Sequence, residues 1–92
     1  MNYDMSQHPD FIFLEEAGVW EKLISYSEDH QALFPKNRVP LGTVRYYDDS
    51  HQIEWFVTLH NEHAGWGQQE LTLVEAEAAC IREMLRLLPQ DA

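Results

Sequence analysis

Apolar and polar residues alternate along this chain with two different rhythms. Between Phe11 and about Ser27 the spacing is helical. Phe13, Ala17, Trp20 and Ile24 recur at intervals of three and four, with Leu23 beside the stripe. Glu15, Glu16, Glu21 and Lys22 fall largely off it. Asp10 suits the N-cap, since its carboxylate can accept the orphan amide protons of a first turn. Gly18 lies inside this pattern, at a cost of about 1 kcal/mol relative to Ala. The helix is expected to end before Pro35, and His30 to Pro40, with two prolines, reads as a loop. Residues 1–9 are polar, end in Pro9 and read as a flexible N-terminal tail.

From Leu41 the period becomes two. Val44 and Tyr46 alternate with Thr43, Arg45 and Tyr47, and Asp48, Asp49 and Ser50 supply turn chemistry. Ile53, Trp55, Val57 and Leu59 then alternate with Glu54, Phe56, Thr58 and His60, the strongest strand signal in the chain. Asn61 to Gly65 read as a second turn. Gly65 to Leu71 predict a short third strand around Trp66, weakened by its glycines. Thr72 and Glu75 fit a capping box. The helix they open has Val74, Ala78, Ile81, Leu85 and Leu88 as its apolar stripe and stops at Pro89.

The order is helix–β–β–(β)–helix. It predicts one α+β domain over residues 10–89, with a small antiparallel sheet packed against two helices and a C-terminal tail at 90–92. The helices should cover the sheet face made by Val44, Tyr46, Ile53, Trp55, Val57 and Leu59. Arg45, Tyr47, Glu54, Phe56 and Thr58 then occupy the other face. There Tyr47 and Phe56 stand partly exposed among polar residues, an arrangement suited to an interface.

Charge changes the picture most. Sixteen Asp and Glu face six Lys and Arg in 92 residues, a net charge of −10. Only residues 32–41, with Lys36 and Arg38, run positive. A field of this sign repels phosphate backbones and attracts basic protein surfaces. Direct nucleic-acid binding is therefore not expected, and a basic host protein or nucleoprotein complex is the expected partner. Spaced carboxylates can stand in for a phosphate backbone. The turn and sheet acids Asp48, Asp49, Glu54, Glu62 and Glu70 are candidates, as are Glu15, Glu16, Glu21, Glu28 and Asp29. Tyr47 and Phe56 complete the candidate partner surface, and the same face is also suited to a homodimer.

No catalytic motif emerges. His60, Glu62 and His63 form a His-x-x-His pair with a carboxylate, but a structural zinc site needs about two more ligands. Cys80, the only cysteine, sits beside Ala79, Ile81 and Glu77 on a helix, so it reads as packing rather than as a nucleophile. The adjacent carboxylates Glu15–Glu16, Glu28–Asp29 and Asp48–Asp49 read as solvated surface or turns. Gly65-Trp66-Gly67 lacks the lysine and the glycine spacing of a phosphate loop. No cofactor, no metal and no enzymatic activity are expected. The first ten residues, MNYDMSQHPD, have neither the basic nor the apolar region of a secretory leader. No polybasic patch or apolar run suits a membrane. With no possible internal disulfide, a cytoplasmic setting is expected.

Two resemblances follow from the later elements. The element order over about residues 11–88, with LTLVEAEAACIREMLRLL as last helix, resembles the double-stranded-RNA-binding domain. That family's Lys-Lys-x-Ala-Lys stretch contacts phosphate. Here the region reads VEAEAA with Glu75 and Glu77, so the resemblance implies the topology and not RNA binding. The stretches IEWFVTLH, GWGQQ and TLVEAEAACIREMLRLL, over roughly residues 41–88, resemble small phage proteins of the α–β–α (ABA) sandwich type, which implies a phage or prophage origin. Together with size and acidity, this leads to an expected function. The chain reads as a phage-type inhibitor of a basic nucleic-acid-processing complex, of anti-CRISPR or anti-restriction type, acting in the host cytoplasm. The alternative is a self-associating accessory module that uses the exposed sheet face.

Overall fold

Phe13 and Trp20 touch, with ring centroids 5.0 Å apart, yet they do so across a β-hairpin and not along a helix. In the computed structural model, which describes residues 3–35, 38–59, 62–69 and 72–89, the segment expected as the first helix is two strands. β1 (Ile12–Leu14) and β2 (Val19–Ile24) are antiparallel, with Leu14 opposite Val19. Gly18 decides the matter. It adopts φ +63°, a conformation open to Gly at little cost, and its N–H donates to the Leu14 carbonyl at 2.9 Å. Asp10 caps no helix; its carboxylate lies 3.8 Å from the Lys22 ammonium.

A single helical turn, α1 (Glu28–Gln31), follows β2, capped by the Ser27 hydroxyl, which accepts from the His30 N–H. Then come β3 (Leu41–Tyr47), β4 (Ile53–Leu59) and β5 (Glu62–Gly67). All five strands pair antiparallel in sequence order, a meander β1-β2-β3-β4-β5. The third strand thus begins at Glu62. Residues 62–65, expected as a turn, are paired with β4 across a register shift at Val57/Thr58. Helix α2 (Leu73–Arg86) closes the fold. The protein is a small α+β molecule with an antiparallel sheet and two helices, one of them long.

Thr72 caps α2 as expected. Its hydroxyl accepts from the Glu75 N–H at 3.1 Å and donates to the Glu75 carboxylate at 2.9 Å. The buried stripe is not the expected one. Leu73, Ala76, Ala79, Cys80 and Met84 face the sheet, whereas Val74, Ala78, Ile81 and Leu85 are exposed and Leu88 is half-buried. Gly42 explains the choice. A Cβ there would stand 2.6 Å from Met84 Sδ and 2.7 Å from Cys80 Sγ, so the helix approaches the sheet backbone on its small residues.

α2 lies over β3, β4 and β5. The core joins its buried stripe to Val44, Tyr46, Ile53, Trp55 and Val57, the sheet face expected from the period-two pattern. Leu59, assigned to the same face, is only half-buried. Within residues 3–9, Met5 is buried in a 3₁₀ turn, and the Tyr3 ring meets that of Tyr46 edge-on at 5.3 Å. The Tyr3 hydroxyl accepts the Leu73 N–H at 3.1 Å, satisfying an orphan donor at the start of α2. Among the described residues no helix is long and apolar enough to cross a membrane.

Candidate functional site: an acidic sheet end and an open sheet face

Strand register places the candidate residues. The β1–β2 and β3–β4 turns lie at the same end of the meander, and the Asp48 N–H donates to the Gly18 carbonyl at 3.2 Å. This bond ties one turn to the other and gathers Glu15, Glu16, Asp48 and Asp49, all exposed, with no Lys or Arg in either turn. The β3–β4 turn is itself anchored. Its His51 takes φ +59° and shares a 2.7 Å hydrogen bond with the buried Tyr46 hydroxyl.

Cross-strand neighbours share a face, and residues two apart along a strand return to it. The face away from α2 therefore carries Glu21, Arg45 and Glu54 in one row, and Leu23, Thr43, Phe56 and Trp66 in the next. Arg45 donates from Nε to Glu21 Oε2 at 2.8 Å, and its guanidinium lies 4.9 Å over the Phe56 ring. His63 stacks on Phe56 with centroids 5.0 Å apart. The Glu54 carboxylate accepts from the Tyr47 hydroxyl at 3.2 Å and from Gln68 Nε2 at 2.7 Å. Burial alone would pull the Arg45 guanidinium down, but its hydrogen bonds to Glu21 and Tyr47 outweigh this and hold its pKa above the usual value.

The expected partner residues thus fall into two groups. Asp48, Asp49, Tyr47 and Glu54 sit together at the acidic end, and Phe56 lies on the same open face. Glu62 opens β5 opposite Leu59, at the far end of the sheet, and does not join them. Glu70 and His60 lie outside the described residues. Reading the chain alone missed Leu23 and Trp66, which are 59% and 61% exposed on the open face. A Gly between two short apolar-rich runs, IFL and VWEKLI, was the signal that would have placed Leu23 on a strand.

Cys80 is buried, its thiol donates to the Phe56 carbonyl at 3.7 Å, and burial pushes its pKa up to about 11. A buried thiol held protonated in this way is a poor nucleophile at neutral pH. Among the described residues no group of three or more His, Cys, Asp or Glu is arranged to hold a metal ion. Ion pairs take up few of the acids. Glu21 holds Arg45, Glu77 and Asp10 hold Lys22, and Glu83 holds Arg86.

The chain matches no protein-family model, and no curated protein and no solved structure is significantly similar to it.

Proposed function

We propose that this protein is a small acidic inhibitor of phage type. It binds a basic host nucleic-acid-processing complex, such as a CRISPR effector or a restriction enzyme, through protein–protein contacts. The carboxylates of Glu15, Glu16, Asp48 and Asp49 occupy positions on the partner that phosphates would otherwise hold. The observation that carries this reading is the tie between the two acidic turns. It brings four exposed carboxylates, none in an ion pair among the described residues, onto two adjacent hairpin turns instead of leaving them scattered over a solvated surface. The net charge of −10 and the resemblance of residues 41–88 to small phage proteins support it. Host cytoplasm is the compartment this reading requires.

The test is a capture experiment from nuclease-treated bacterial lysate at about 0.15 M and about 0.5 M salt, since exposed charges are far more strongly screened at the higher value. The wild-type chain is compared with the variant Glu15→Lys/Glu16→Lys/Asp48→Lys/Asp49→Lys. A basic nucleic-acid-processing protein held only at low salt and only by the wild type is the expected result. The activity of that protein should also be inhibited by the wild type alone. If the variant retains the same proteins as the wild type, the reading fails.

A second reading rests on a separate observation. Leu23, Phe56 and Trp66 share one row of the open face, with Thr43 between Leu23 and Phe56, and Leu23 and Trp66 are more than half exposed. This row suits self-association. A mass that stays monomeric by light scattering across the micromolar range would exclude it.

A further inference from the structure

Helix α2 has two apolar stripes, and the fold covers one. Val74, Ala78, Ile81 and Leu85 recur at i, i+4, i+7 and i+11, and Val74 and Leu85 are 72% and 51% exposed. A helix that is apolar on two sides normally has a neighbour on each. The sheet beneath leaves room for one. Five strands at ~4.8 Å span roughly 20 Å, about twice the width of one helix, and α2 lies mainly over β3 to β5.

Phe34 packs on Tyr26 with ring centroids 5.1 Å apart, and over β2, Lys22 stands at the margin of α2. Its ammonium reaches Glu77 on α2 and Asp10 in the N-terminal segment. Beyond it, Ile24 and Tyr26 face Ile81 and Leu85 across a groove of about 330 Å³. The Tyr26 hydroxyl donates to the Met84 carbonyl, which fixes the two walls together without an occupant. Burial raises the Tyr26 pKa, so the hydroxyl keeps that proton at neutral pH.

Charge selects the occupant. Glu28 and Asp29 are exposed and follow Ser27 in α1, between the groove-lining Ser27 and His30, and Lys22 is neutralised by Glu77. Arg82 is the one cation on the exposed side of α2 without an ion pair among the described residues, and Arg86 is turned to Glu83. A second copy docked in this groove offers six Lys and Arg against sixteen Asp and Glu, few cations to meet acids on the lip. We infer that this groove docks a basic amphipathic helix of a partner protein, laid along α2 over the uncovered part of the sheet. Its apolar side chain enters between Tyr26 and Leu85, and its Lys or Arg residues meet Glu28 and Asp29. The groove lies at the opposite end of the sheet from the Asp48–Asp49 turn, so the inference does not depend on the acidic-turn reading.

The probe is a synthetic helical peptide of about 14 residues, ~21 Å long, built of Leu and Lys. Its counterpart carries Glu in place of Lys, and both are titrated into the full-length, isotope-labelled chain. The Lys peptide should shift the amides of residues 24–30 and 78–85, and the Glu peptide should not. Leu85→Glu should weaken binding at least about tenfold. Glu28→Lys/Asp29→Lys, which leaves the groove walls intact, should weaken it and make it less salt-sensitive. The Glu15, Glu16, Asp48 and Asp49 reversal should bind the peptide as the wild type does, which separates this inference from the one above. Shifts confined to residues 15–18 and 48–51, equal binding of both peptides, absence of binding, or unchanged affinity in both groove variants would each overturn it. A concentration-dependent dimer abolished by Ile81→Glu would also do so, by assigning the groove to a second copy.

Discussion

One sheet presents two faces that obey different rules. On the α2 side, Val44, Tyr46, Ile53, Trp55 and Val57 are buried to a few per cent exposure, and the helix above them is spaced by Gly42, Ala76 and Cys80. On the other side the same strands display Arg45, Glu54, Phe56 and Trp66, where Arg45 is joined to Glu21 and the Phe56 ring and Glu54 accepts from Gln68. The covered face carries the stability, because burial of apolar area is the large favourable quantity. The open face buries Val19 and Thr43 but leaves Leu23 and Trp66 more than half exposed, and removing exposed side chains of this kind usually costs a fold little.

Two tryptophans on neighbouring strands break or sharpen this contrast most sharply. Trp55→Ala should destabilise by about 3–5 kcal/mol, the usual cost of emptying a large aromatic site. Trp66→Ala should change stability by less than about 0.5 kcal/mol. Urea denaturation followed by far-UV circular dichroism measures both. Comparable losses in the two variants would mean that the open face is structural after all.

The pH dependence of folding reports on the covered face. Cys80 holds its proton up to about pH 11 in the folded chain, while an unfolded thiol loses it near ~8.5. Between those values the folded state binds more protons than the unfolded state. The contribution is therefore fully present below ~8.5 and is lost as pH rises through 11. Its size is on the order of 3 kcal/mol. Denaturation midpoints should fall between pH 9 and 11, and Cys80→Ala should flatten that part of the profile. A wild-type profile flat over this range would show that Cys80 is more accessible than its burial implies.

Gly42 tests how closely the two layers approach. Gly42→Ala drives a methyl into Met84 Sδ and Cys80 Sγ and should cost about 1–3 kcal/mol, the usual range for overpacking. Met84→Ala in the same background should recover part of that loss, since it removes one of the two clashing atoms. Additive losses in the double variant would place the strain elsewhere.

The sequence made the covered face legible because burial on one side of a strand enforces period two, and that period is unbroken from Val44 to Tyr46 and from Ile53 to Val57. Tyr47 and Phe56 followed on the other face for the same reason. The Thr72 cap was legible because it is local. The first hairpin was not. Phe13 and Trp20 share a face whether seven residues apart on a helix or paired across a turn, so apolar spacing cannot separate the two. Only Gly18, placed to accept a positive φ, favours the turn. The buried stripe of α2 was equally ambiguous, because the helix is apolar on two sides and the choice was made by Gly42, some forty residues away. The clustering of Glu15 and Glu16 with Asp48 and Asp49 depends on β2 pairing with β3, a long-range event with no local mark. Glu62 was lost from the group for the converse reason: the β4–β5 hairpin carries it to the other end.

The smallest expected effect bears most directly on function. Four carboxylates held on two tied turns repel one another, so the fold sustains them at a small loss of stability. Asp48→Asn/Asp49→Asn keeps the turn geometry and removes two charges from that end. It should raise stability by roughly 0.2–0.5 kcal/mol at low salt, on the scale of other exposed charge interactions. The gain should vanish near 1 M salt, where the Debye length falls to about 3 Å. Thermal denaturation at both salt concentrations measures it. A gain that appears at low salt and disappears at high salt means the acids are kept at this position against the interest of the fold, which is how binding residues behave. A loss at low salt would mean that the carboxylates stabilise the turns. Their concentration at this end would then be explained by local structure, with no partner required.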